Sequence, residues 1–278
     1  MIRTAAATLV TVAIALMPAR AEEPPLKTAV DATFAPHAMP TLGGDLEGFN
    51  IDLANEIGRR LGRKVEITGT QYSGILPALQ AGTYDFVAAP TTATPERAQN
   101  LLFTEGYLNT DYQFVVRRDA PDVTALDGFK GKVISVNKGS AYDKWARDLE
   151  PELGWKVESY GTNADAIQAV IVGRAFASVA GNTAEAWAVK NNPQIKLSFL
   201  YSTGLVWSVP LRKDQVELRN RIEDAIECMK SDGTMARMHE KWFGTKPAPS
   251  SAAVTVFPGY GIPGYPGHDP APHQPNCR

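Results

Sequence analysis

From Leu26 onward, short apolar runs alternate with stretches of helical spacing, and this order constrains the chain to an α/β fold. A strand around Lys27–Val30 is followed by Phe49, Leu53, Ile57 and Leu61, which predict one face of a helix closed by Gly62, and then by a strand at Val65–Thr68. Leu76–Ala81 reads as a short helix ending at Gly82, and Phe86–Ala89 as a buried strand. Tyr112–Val116 reads as a strand leading into the polar break Arg117–Pro121.

A second alternating unit begins at Gly131. It runs through a strand at Lys132–Val136, a helix in which Ser140 and Asp143 have capping-box spacing, a strand at Val157–Tyr160 and a helix at Asn163–Val172 closed by Gly173. Ala177–Ala180, Thr183–Val189 and Ile195–Leu200 continue it as strand, helix, strand. Leu218, Ile222, Ala225, Ile226 and Met229 then mark an amphipathic helix, and a last helix ends at Trp242. Two units joined by crossings at Arg117–Pro121 and Tyr201–Gly204 predict two lobes with a ligand cleft between them. The expected division is residues 22–118 with 205–244 for the first lobe and 119–204 for the second.

Within the first unit, Gly82–Tyr107 carries a candidate carboxylate trap. Thr94 and Pro95 form an N-cap and first helical residue, so helix amides, the backbone and hydroxyls of Thr91 and Thr92, and the Arg97 guanidinium could converge on one anion. Arginine adds a fork matched to a carboxylate, and it sits poorly in a first helical turn unless an anion or an ion-pair partner compensates it.

The ends differ in kind. Arg3, an apolar run from Ala5 to Met17, and Ala19-Arg20-Ala21 read as a secretory signal over residues 1–21, too short for a membrane span. The expected location is therefore the periplasm. Removing Arg3 and Arg20 takes the formal charge from −2 to −4 with no basic run, which argues against nucleic acid as a partner. Residues 245–278 are rich in proline and glycine and read as an extended or disordered appendage. His268, Asp269, His273 and Cys277 there match no specific metal spacing. Cys228 and Cys277 form a possible disulfide in an oxidising compartment, which sequence leaves undecided.

Gly82–Tyr107, together with Val30–Phe34, Gly48–Leu53, Gly74–Leu79, Asp232–Thr234 and Lys241–Gly244, resembles the periplasmic amino-acid-binding proteins of ABC importers, the bacterial solute-binding family 3. The resemblance runs from about Leu26 to Gly244. It implies the two-lobed type II periplasmic-binding fold with two hinge crossings, a small carboxylate ligand, a membrane permease as partner, a monomer, and no cofactor. It also implies roles at the cleft. Arg97, Thr92 and the Gly139-Ser140-Ala141 turn would hold the carboxylate, with Ser140 equally readable as a helix cap. The Pro90 carbonyl would accept from an ammonium, and Phe34 and Tyr72 would cover the side chain. Asp31 reads as a structural acceptor or a contact to a cationic tail.

The chain departs from the family pattern at Gly181, where an aspartate usually pairs with the ligand's α-ammonium. Asn182 could replace it as an acceptor. A buried ammonium without a counter-charge is costly, so the departure points to a ligand whose amine is absent, acylated or secondary. Two alternatives stay open: an enzyme on the same scaffold, resembling cyclohexadienyl dehydratase, with Glu185 or His37 as its acid, and a periplasmic sensor or partner-binding module. No phosphate-binding loop, Cys-x-x-Cys pair or nucleophile elbow is present to suggest other chemistry.

Overall fold

The computed structural model describes residues 23–277; the expected signal segment lies outside them. The parallel pair Leu26–Val30 and Val65–Gly69 is connected by the helix Phe49–Leu61, which buries Phe49, Leu53, Ala54 and Ile57 and ends on Gly62. The helix after Val65–Gly69 is longer than its apolar signal, Tyr72–Gln80, and contains Pro77. Phe86–Ala89 is buried throughout but is not a ladder strand. Its amides are divided between neighbours: Val87 donates to the Pro210 carbonyl, while Ala88 and Ala89 donate to the Thr28 hydroxyl and the Ala29 carbonyl of Leu26–Val30. The adjoining ladder is instead the antiparallel pair Leu101–Phe103 with Pro210–Arg212.

The larger sheet has six strands in the order Thr91–Thr92, Ile195–Ser208, Leu108–Arg117, Ala177–Gly181, Val133–Asn137 and Lys156–Tyr160. The last three are mutually parallel, as the strand–helix alternation requires, with helices Ala141–Leu153, Asn163–Ile171 and Asn182–Asn191 between and after them. Leu108–Arg117 and Ile195–Ser208 pair antiparallel with each other.

This corrects the crossings. Leu108–Arg117 belongs to the six-stranded sheet rather than to the first unit. Tyr201–Gly204 is a register shift inside one fourteen-residue strand, not a break in it. The polar Arg117–Pro121 marks a turn, and Gly204, at a φ of 66°, marks a bulge. The chain passes from Leu101–Phe103 to Leu108–Arg117 at Thr104–Tyr107, and from Ile195–Ser208 to Pro210–Arg212 at Val209; these residues are buried and, Gly106 apart, are not turn formers. There the Thr104 amide donates to the Val209 carbonyl, and the Ser208 hydroxyl donates to the Thr104 carbonyl.

The C-terminal segment is also corrected: it is packed, not a loose appendage. Cys228 and Cys277 are joined with their Cα atoms 5.4 Å apart. Between them the tail lies along the helix Val216–Ser231, with Ala252 and Ala253 buried. Its backbone serves charges that the core could not otherwise accommodate. Phe257 N donates to Glu105, Gly261 N to both oxygens of Glu223, and the Thr255 and Gly267 carbonyls accept from Lys230 and Arg219. A proline- and glycine-rich segment lacks periodicity, yet its amides and carbonyls are free to do this because no ladder uses them.

Candidate functional site

Arg97 sits in a one-turn helix, Pro95–Ala98, with Pro95 first and Thr94 as cap; the Thr94 hydroxyl accepts from Arg97 N at 3.2 Å. A single turn carries little dipole, so the expected contribution of helix amides shrinks and the side chain becomes the main feature. The guanidinium donates to the Thr92 carbonyl and, across the sequence, to the Gly139 carbonyl, each at 3.0 Å. Both partners are neutral. Among the described residues no carboxylate pairs with it, which removes the bland reading of an ion pair within one lobe.

The Arg97–Gly139 contact lies beside a cavity of about 620 Å³ lined by Thr94, Tyr112, Ser140, Ala141 and Trp145 among others. Ser140 caps the helix Ala141–Leu153, its hydroxyl accepting from Asp143 N at 3.0 Å. Its side chain is therefore engaged. Charges elsewhere on this wall are internally matched: Asp143 accepts from Gly139 N, Arg147 and Ser159, and Lys144 pairs with Asp148 and Glu96.

The other expected residues lie deeper. Thr91 and Thr92 are buried on the short strand facing Trp207 and Ser208, and Pro90 precedes them half-buried. Tyr72 is buried, its hydroxyl donating to Thr91 at 3.2 Å. Phe34 is buried against the rings of His37 and Trp207. Asp31 accepts three hydrogen bonds: Oδ1 takes the amide and hydroxyl of Thr33, and Oδ2 takes the Asn137 amide group at 2.8 Å. Asn182 accepts from Asp111 N at 3.3 Å.

Gly181 ends its strand, and a Cβ built on it would stand 2.3 Å from Cζ2 and 2.6 Å from Cη2 of Trp207. The buried indole occupies the space that any side chain at 181 would need.

Two features were not legible. His37, a candidate acid in the sequence, is fully buried. Its Nδ1 lies 2.9 Å from Asn50 Oδ1 and its Nε2 2.8 Å from the Thr183 hydroxyl. The Asn50 amide nitrogen donates to the Ala88 carbonyl and the Tyr107 hydroxyl, so its oxygen faces His37. Nδ1 therefore carries the proton and Nε2 accepts from Thr183. Burial lowers the imidazole pKa to about 3, and the Asn50 bond only partly opposes this. Glu185 is fully buried as well, its carboxyl pushed up to about 8 by burial, with Oε2 unpartnered. The Tyr142 hydroxyl is pushed well above its usual value, by burial first and then by Tyr72, Asp31 and Glu185.

The family description "bacterial extracellular solute-binding proteins, family 3" matches residues 26–245, and the chain belongs to that family. It is 28% identical over 223 residues to the ABC transporter arginine-binding protein 1 of Escherichia coli (strain K12), covering 77% of this chain and 88% of that one. Among solved structures, it is similar to an ancestral arginine-binding protein bound to arginine, with a TM-score of 0.75, 35% identity, and 79% and 98% of the two chains covered. It is also similar to an ancestral amino-acid-binding protein that is a precursor of cyclohexadienyl dehydratase, with a TM-score of 0.73, 31% identity, and 78% and 95% covered.

Proposed function

We propose that this chain is the periplasmic solute-binding component of an ABC importer, and that it captures a small amino-acid-derived carboxylate between its lobes. The observation that carries the reading is Arg97, a guanidinium beside a cavity, held by two neutral carbonyls that are 47 positions apart in the chain, Thr92 and Gly139, and, among the described residues, paired with no carboxylate. A ligand carboxylate arriving there gains charge-assisted, two-pronged hydrogen bonds without breaking an ion pair. Gly139 N and Ser140 N are spent on Asp143 and the Asn137 carbonyl, so in this turn the Ala141 amide would be the donor to the ligand, and on opening of the cleft the rings of Phe34 and Tyr72 would offer an apolar cover. The lobes in this reading meet at Thr104–Tyr107 and Val209, and closure is a hinge motion about those segments. Relatives that bind arginine support import of amino acids as the general role, carried out by a monomer delivering to a membrane permease after export on the signal at residues 1–21.

The ligand itself differs, in this reading, from a free amino acid. Trp207 excludes a carboxylate at position 181, Asp31 already accepts three hydrogen bonds, and burial favours the protonated form of Glu185. A deaminated, acylated or secondary-amine carboxylate fits that surround better than an α-ammonium. Binding rather than catalysis is favoured because His37 spends both nitrogens on structural bonds.

A thermal-shift screen of the mature chain against amino acids and their N-acyl or deaminated partners tests this, since a ligand raises stability by mass action. The expected result is a shift for amine-free or N-substituted carboxylates that disappears in Arg97→Ala. A shift for free amino acids alone would overturn the ligand class, and a shift unaffected by Arg97→Ala would overturn the site.

A further inference from the structure

Away from the cleft, the packed C-terminal tail encloses a group of acids on the helix Val216–Ser231. Glu227 is fully buried, and its Oε2 lies 3.0 Å from Nε2 of His273 on the tail. Oε1 has no hydrogen-bond partner. Asp224, one helical turn earlier, places Oδ1 3.7 Å from the same His273 nitrogen. A carboxylate oxygen from each acid and the histidine nitrogen lie within 4.8 Å of one another.

The neighbouring cations are already committed. Lys230 has three protons and spends them on Glu105, the Gly106 carbonyl and the Thr255 carbonyl. Arg219 donates to Asn220 and to the carbonyls of Phe103 and Gly267. Glu227 is thus a buried carboxylate with no full cation bonded to it. Such a group is satisfied by a proton or by a metal ion, and the presence of an imidazole beside it favours the metal.

We propose that His273, Glu227 and Asp224 form a divalent-cation site of the zinc type, assembled by the tail. Zinc bonds of roughly 2.0–2.2 Å to nitrogen and oxygen in a tetrahedron set donor atoms about 3.4 Å apart. The two distances from His273 Nε2, 3.0 and 3.7 Å, bracket that spacing. The donors are also oriented from outside. The Tyr260 hydroxyl donates to Asp224 Oδ1 at 3.0 Å, and the Tyr260 ring stacks on the imidazole at 3.7 Å between centroids. Partial exposure of His273 and Asp224, at 13% and 18% of their side chains, leaves a way in and a fourth position for water. Binding displaces the proton that otherwise joins His273 to Glu227.

The test is equilibrium titration of the mature chain, disulfide intact and previously dialysed against chelator, with Co²⁺ followed by visible absorption and then displaced by Zn²⁺. One ion per chain is expected, with a ligand-field spectrum abolished by Zn²⁺. His273→Gln and Glu227→Gln should each weaken binding at least tenfold with unchanged circular dichroism, while His268→Ala retains it. No binding at micromolar metal, or binding by the two glutamine variants as tight as that of the wild type, would overturn the site. Should a variant fail to fold, carbethoxylation of His273 in the wild type decides: protection by Zn²⁺ supports the site, and equal modification with and without the metal overturns it.

Discussion

The indole of Trp207 lies against Gly181 so closely that a methyl group on the glycine would stand 2.3 Å from Cζ2, well inside any real contact. The two residues are separated by a sheet neighbour, since Gly181 pairs with Tyr112 and Trp207 with Leu108 on the strand between them. Overpacking of this kind costs about 1–3 kcal/mol. Gly181→Ala should lower stability by that amount. In a double-mutant cycle with Trp207→Leu, urea unfolding should show a coupling of about 1 kcal/mol or more. Additive effects would mean the contact is relieved by movement of the ring.

His37 makes stability depend on pH in the acid range. Its pKa is about 3 in the folded protein against an ordinary value of 6.5, so the unfolded chain binds the extra proton between those limits. Stability therefore falls as pH drops from 6.5 towards 3, by up to about 1.4 kcal/mol per unit from this group. His37→Gln should flatten that slope in unfolding curves collected across the range. An unchanged slope would place its origin elsewhere.

Glu185 acts with the opposite sign. Its pKa is raised from 4.5 to about 8, so the folded protein holds a proton that the unfolded chain has released. Its contribution is complete below pH 4.5 and is lost as pH rises through 8. Glu185→Gln keeps the neutral shape. It should leave stability at pH 5 within about 0.5 kcal/mol and improve it at pH 8 relative to wild type. A loss at both pH values would show that the carboxyl is ionised in the fold.

Cys277→Ser should free the tail. Closing a loop whose ends are 49 residues apart is worth about 4 kcal/mol at most by the chain-entropy estimate. Hydrogen exchange at the Phe257 and Gly261 amides, which are bonded to Glu105 and Glu223, should accelerate more than tenfold. If those amides stay protected, the buried charges hold the tail without the staple.

What the sequence determined by itself is what neighbouring residues impose on one another. Thr94 with Pro95, and Ser140 with Asp143, specify helix starts through bonds spanning three residues. The apolar spacing of Phe49–Leu61 specifies a buried face, and the alternation of runs specifies an α/β fold. Arg97 was legible as a candidate for the same reason, because its position in a first turn is a local fact. What only the tertiary structure decided involves partners far apart in the chain. His37 reaches Thr183 across 146 positions, the tail meets acids on a helix it follows, and Trp207 fills the space beside Gly181. The crossings escaped notice for a related reason. The passage between Leu101–Phe103 and Leu108–Arg117, and that between Ile195–Ser208 and Pro210–Arg212, exchange one sheet's hydrogen bonds for another's within buried segments, and composition does not record where that exchange takes place.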